Sequence, residues 1–205
     1  MRWGWLLRIF VKIHSGSEGC NMGESWKGRF LVATPSLRDP NFFRTVILLV
    51  EHGDKGAMGM VLNRPLDKTI GEVWKQVSEK PCDNSSHLFD GGPCPSPLIV
   101  LHTHETQADM RVLPGLFLTM SGEAIETLVE SDAAPIKFLV GSAGWSGGQL
   151  ENEVQEGAWI LTTASPEQVF HTYEDQWLDL TRATARAAAA PNLNPKFIPP
   201  DPSVN

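Results

Sequence analysis

Four glycine-bearing turns set between apolar runs constrain this chain more than anything else in it. They are Gly28-Arg29-Phe30-Leu31-Val32-Ala33, Gly59-Met60-Val61-Leu62-Asn63-Arg64-Pro65, Phe89-Asp90-Gly91-Gly92-Pro93, and the stretch from Gly141 to Gly148 around Gly144-Trp145-Ser146. Glycine permits positive φ and close backbone approach, so apolar runs punctuated this way read as short strands joined by tight turns. Thr45 to Val50 is a continuous β-branched and aliphatic run, which predicts a strand buried on both faces. The turn His52-Gly53-Asp54-Lys55-Gly56 and the run Ala57 to Asn63 make 45–63 a hairpin with a five-residue loop.

Helix signals alternate with the strands. Thr69-Ile70-Gly71-Glu72 has the spacing of a capping box, and Ser165-Pro166-Glu167-Gln168 adds proline at the first helical position. Ser146 with Gln149 predicts a third capped start, and Glu123 to Glu130 carries Ile125, Leu128 and Val129 on one face. Hairpins mixed with strand–helix–strand units predict a single α+β domain with a mixed sheet. At 205 residues the length suits one domain with tails. Residues 1–24 read as an extension outside the fold, 25–185 as the domain, and 186–205 as a tail that becomes proline-rich.

Charge is uneven. Residues 1–23 and residues 181–205 each carry +2, and the whole chain carries −7, which leaves −11 on residues 24–180. An acidic domain argues against direct DNA binding and suits a protein partner. Cys20, Cys82 and Cys94 are too few and too scattered for a disulfide framework or a zinc site, so free thiols in a reducing, cytoplasmic setting are expected. The apolar stretch Trp3 to Ile13 is interrupted by Arg8 and Lys12, so no membrane span is expected there. Its basic character leaves an organelle-targeting segment and a later start at Met22 as alternative readings.

Several residues could carry chemistry. Gly144-Trp145-Ser146-Gly147-Gly148 matches the GxSxG elbow of serine hydrolases, yet Gln149 makes Ser146 better explained as a helix cap. His102 and His104, with His52 and Asp90, could form a mixed nitrogen and oxygen site for a metal or a small molecule. A polar strand exit explains them as well. Asp90-Gly91-Gly92-Pro93 permits a small anion nest or, more simply, a tight turn. Asn63 can turn a strand end, and Arg64 can clamp a loop internally or face a partner. Trp145 reads as a core plug or as an exposed anchor. No phosphate-binding glycine motif occurs, and no catalytic residue, cofactor or metal is assigned.

Taken together, the turns make the chain resemble the AlgH/YqgE-like family. The resemblance rests on Gly28 to Pro35, Asp39-Pro40-Asn41-Phe42-Phe43, Glu51-His52, Gly56 to Pro65, Gly91-Gly92-Pro93, Pro114-Gly115-Leu116 and Gly141 to Leu150. It implies an α+β fold in which a large mixed sheet curls into a barrel-like form with helices outside. At Ser146 the family commonly has glycine, so the resemblance implies no shared serine nucleophile. Its molecular function is not established. Some members carry a transcriptional-regulator label, without a recognised DNA-binding module. The expectation is therefore a non-enzymatic regulatory or protein-interaction domain, with Asn63, Arg64, Asp90, Gly91, Gly92 and Trp145 as its surface. A small-molecule-binding protein or hydrolase with a His/Asp pocket, and a transcriptional regulator, are the alternatives.

Overall fold

The structure, a computed structural model, describes residues 25–77, 82, 84–131, 135–171 and 174–189. The chain runs β1 (Arg29–Ala33), β2 (Val46–Gly53), β3 (Gly56–Val61), β4 (Pro65–Thr69), α1 (Ile70–Val77), β5 (His87–Asp90) and β6 (Ile99–His102). It continues β7 (Met110–Leu113), β8 (Leu116–Thr119), α2 (Gly122–Val129), β9 (Ile136–Val140), β10 (Ala143–Ser146), α3 (Gln149–Gln155), β11 (Trp159–Thr163), α4 (Pro166–Phe170) and α5 (Gln176–Ala189). This is the α+β domain the alternation of signals predicts. The expected extension 1–24 lies outside the described residues, as does the expected tail 186–205 from residue 190 on; residues 186–189 are instead the last turn of α5.

The strands form two sheets, which corrects the expectation of one large sheet curled into a barrel. The first has the order β10-β3-β2-β1-β11 and is antiparallel throughout. The second has the order β4-β5-β9-β6-β8-β7, with β5 and β9 parallel. Two connections, β3 to β4 and β9 to β10, carry the chain from one sheet to the other, so the hydrogen-bond ladder does not close.

Apolar side chains fill three layers. Between the sheets lie Phe30, Val32, Val46 and Leu48 of the first and Leu101, Leu116, Leu118 and Leu139 of the second. The outer face of the first sheet packs Leu31, Ile47, Trp145 and Trp159 with Leu150 of α3. The outer face of the second packs Val100 and Phe138 against α1 and α2. The continuous run of β2 is thus buried on both faces, as expected for a central strand.

The glycines mark where the sheets join. A Cβ on Gly92 would stand 2.6 Å from the Ser142 backbone, and one on Gly141 2.4 Å from the Gly92 carbonyl oxygen. Cys94 and Ser142 exchange backbone hydrogen bonds at 2.9 Å beside this crossing. Only glycine lets two backbones pass so closely, and both Gly92 and Gly141 also have positive φ.

Local details refine the sequence reading. The capping boxes at Thr69/Glu72 and Ser165/Gln168 are both present. The 45–63 hairpin turns on Asp54 and Lys55 alone, because Gly53 still pairs with Gly56. Pro65 starts β4, and Phe89 and Asp90 of the expected turn belong to β5. Ser146 does not cap α3. It ends β10, and Gly148 holds the cap position at φ 76°.

Candidate functional site

Residues 34–45 link β1 to β2, and they form an ordered, exposed loop. The Asp39 carboxylate accepts the Asn41 N–H at 2.7 Å, and its carbonyl accepts the N–H groups of Phe42 and Phe43 at 3.0 and 2.7 Å. Thr45 closes the turn by donating its hydroxyl to the Phe42 carbonyl at 2.8 Å. These bonds send consecutive phenylalanines opposite ways. Phe42 turns inward onto Trp145 and Trp159, with ring centroids 6.2 and 5.4 Å away. Phe43 turns outward and is 46% exposed, a large value for an aromatic side chain.

Arg44 follows with φ 54°, the single non-glycine residue with positive φ among the described residues. That conformation is strained and persists only where surroundings hold it. Asn63 supplies the hold. Its Nδ2 donates to the Arg44 carbonyl at 2.9 Å, while its Oδ1 accepts the Val46 N–H at 3.0 Å. Arg64 reaches the same loop and donates from Nη2 to the Pro40 carbonyl at 3.2 Å. Asn63 and Arg64 therefore act as brackets.

The Arg44 guanidinium lies over two rings, 5.0 Å from the Phe43 centroid and 5.2 Å from that of Trp177. Trp177 is itself fixed, because its Nε1 donates to the Ala33 carbonyl at 2.8 Å. An arginine held between aromatics beside an exposed phenylalanine is a pre-formed surface with one apolar and one cationic element.

Beneath the loop sits a hydrogen-bonded aromatic floor. Trp145 and Trp159 meet edge to face at 6.1 Å, and both donate Nε1 to Glu153 Oε2, at 2.9 and 2.8 Å. Gln149 donates to Glu153 Oε1 at 2.9 Å and accepts the Ser146 hydroxyl at 3.0 Å. Trp145 is only 6% exposed. The structure places it as a core plug rather than an anchor on the surface. The Ser146 hydroxyl donates to Gln149 Oε1 at 3.0 Å.

Asn63, Arg64, Asp90, Gly91 and Gly92 do come together, at the join between the sheets. The Asp90 N–H donates to the Arg64 carbonyl at 2.8 Å, and the Val61 N–H to the Gly91 carbonyl at 2.9 Å. Asp90 Oδ1 accepts the Gly92 N–H at 3.0 Å, so the chain's own carboxylate takes an amide that an anion nest would offer. Both glycines are buried against the crossing strand. They build the join, and the exposed loop lies above it.

The candidate histidines divide: His52 is in the first sheet, while His102 and His104 stay together at the end of β6, ring centroids 6.4 Å apart. His52 ends β2 in the first sheet, stacked on Trp26 at 4.7 Å, with Nε2 3.1 Å from Glu151 Oε1. His102 is fully buried at the end of β6 in the second sheet. Its Nδ1 accepts the His104 N–H at 3.3 Å, which leaves the neutral ring's proton on Nε2, a buried atom without a hydrogen-bond partner among the described residues. Burial, helped by His104, pushes the His102 pKa down. Among the described residues no group of three His, Cys, Asp or Glu side chains is arranged to hold a metal. No described helix is long and apolar enough to cross a membrane.

Sequence reasoning missed Phe43, Arg44, Trp177, Glu153 and Lys137. Lys137, within the apolar run of β9, is only 5% exposed, and burial pushes its pKa down to about 8. Its Nζ donates to the Leu62 carbonyl at 3.0 Å and lies 4.6 Å from the Phe89 ring centroid. A lone cation in an apolar strand is a legible signal. Phe43 gave none, since adjacent phenylalanines in a polar loop do not reveal which one faces out.

Comparison with known proteins places this geometry. A family model described as AlgH-like matches residues 30–187. A UPF0301 protein of Chlorobaculum tepidum is 40% identical over 157 residues, covering 73% of this chain and 82% of its own. A UPF0301 protein of Vibrio cholerae is 37% identical over 161 residues, covering 72% and 86%. The solution structure of the AlgH protein from Pseudomonas aeruginosa superimposes with a TM-score of 0.66 at 29% identity, covering 86% of this chain and 94% of that one.

Proposed function

The chain belongs to the AlgH-like family, and on that premise we propose that it is a non-enzymatic protein-interaction domain with a regulatory role, which meets its partner through the 35–44 loop. The observation that carries this reading is the outward Phe43 beside the stacked Arg44, held by a strained but fully bracketed backbone. A rigid apolar and cationic contact lowers the ordering cost of association. Exposed aromatic and arginine side chains are also the types that dominate binding energy at interfaces. Arg64 serves the surface indirectly, through Pro40, and Asn63 through Arg44. Trp145 serves it from below, through Phe42.

The test is affinity capture from the native host with wild-type chain and Phe43→Ser in parallel, with thermal midpoints measured for both. A protein captured by the wild type and lost from an equally stable Phe43→Ser is the expected outcome. The same proteins captured by both would defeat this assignment of the surface.

A further inference from the structure

Resting on that reading, we infer that the partner's contacting segment is an acidic peptide, with a carboxylate against the edge of Arg44 and a neighbouring apolar side chain on Phe43.

The first argument is the geometry of Arg44. Stacking on Phe43 and Trp177 occupies the guanidinium with rings and leaves its N–H edge to be satisfied. Among the described residues the guanidinium has no hydrogen-bond acceptor and no carboxylate within 4.0 Å. Glu174, Asp175 and Asp179, which flank Trp177 in the chain, make no ion pair with it. A planar cation with occupied faces and an open edge is matched by a carboxylate, which can accept two parallel N–H bonds.

The second is local charge. Arg38 and Arg44 belong to this loop and Arg64 donates to its Pro40 carbonyl, while Asp39 is the loop's one acid, already engaged with the Asn41 amide. Residues 24–180 as a whole carry −11. A spot of positive charge on an acidic domain draws a short segment with one or two carboxylates. A long polyanion such as a nucleic acid would meet repulsion from the rest of the surface. Phe43, 46% exposed, supplies the apolar contact that sets such a peptide apart from a free anion.

The experiment uses the full chain to select from a phage-displayed library of random dodecapeptides, and then titrates enriched peptides and a single-stranded oligothymidylate against wild type, Arg44→Gln and Phe43→Ser. Enriched peptides should place Asp or Glu beside an aliphatic or aromatic residue. They should lose about tenfold or more in affinity on Arg44→Gln and weaken as salt is raised. The salt series needs no variant, so it decides the matter even where Arg44→Gln does not fold. Peptides without acids, or with salt-independent binding, overturn the inference. If those peptides still need Phe43, the interaction reading survives, and if they need neither residue, both fall. Absence of any enrichment, or binding of the oligonucleotide in place of peptides, also overturns the inference.

Discussion

The aromatic floor under the 35–44 loop and the second sheet with its helices bury their polar groups in opposite ways. On the first, a single Glu153 carboxylate accepts both indole N–H groups and the Gln149 amide, so each polar atom of the aromatic floor is paired. In the second, Lys137 holds its charge against one carbonyl and a ring, and the Nε2 of His102 and the Nε1 of Trp74 on α1 are buried without hydrogen-bond partners among the described residues. A satisfied network gives a stiff base, whereas incompletely paired buried groups cost about 1–3 kcal/mol each. The interaction loop is built on the stiff side. Lys137 and His102, whose pKa values burial lowers, are in the other sheet, which packs against α1 and α2.

The largest test of this contrast cuts the join between the halves. Gly92→Ala forces a Cβ to within 2.6 Å of the Ser142 backbone at φ 137°. We expect at least about 4 kcal/mol of destabilisation, or failure to fold, read by chemical denaturation. A loss below about 1 kcal/mol would mean that the two sheets are not locked together there.

Next comes pH. The Lys137 pKa falls from 10.5 to about 8 on folding, so between those values the unfolded chain binds one more proton than the folded chain. The penalty for burying the charge is complete below about pH 8 and fades as pH rises toward 10.5. Wild type should gain roughly 3 kcal/mol across that window relative to Lys137→Met, which has no such group. His102 has the same sign at lower pH. Its folded pKa lies below 6.5, so stability falls as pH drops below that value, and His102→Leu should lessen the acid loss. Parallel denaturation midpoints for wild type and variants would place the sensitivity elsewhere.

Glu153→Ala sharpens the other side of the comparison. It strands two indole donors, and we expect about 2–3 kcal/mol of lost stability and a changed tryptophan emission. Glu153→Gln keeps an acceptor and should lose about half as much. Equal losses in the two variants would show that acceptor geometry is not what holds the floor.

The smallest stability effect belongs to Arg64→Ala. Its one side-chain hydrogen bond among the described residues, to the Pro40 carbonyl, is exposed, so we expect less than about 1 kcal/mol. Partner capture should weaken all the same, because the loop loses a bracket. Undiminished capture would leave Asn63 as the loop's effective support.

The loop and its site were only partly legible in advance. Asn63 and Arg64 stood out because a polar pair before proline at a strand end needs an explanation, and both do touch the loop. Trp145 stood out beside glycines, yet its ring is buried against Phe42 and Trp159. Phe42 and Phe43 are chemically identical neighbours, and only the hydrogen bonds of Asp39 and Thr45 separate them.

Local chemistry determined much of the rest from sequence alone. The capping boxes, the doubly buried run of β2 and the glycine positions follow from residues close together in the chain. So does the mixture of helices and strands. Tertiary structure alone decided that β1 pairs with β11, that the ladder divides into two sheets, and that Gly92 crosses Gly141. It also decided that Lys137 donates to a carbonyl 75 residues away. Those outcomes depend on which distant strands lie side by side, and one strand's alternation fits several partners equally well. The choice among them is made when whole layers pack and each buried backbone group must find a donor or acceptor.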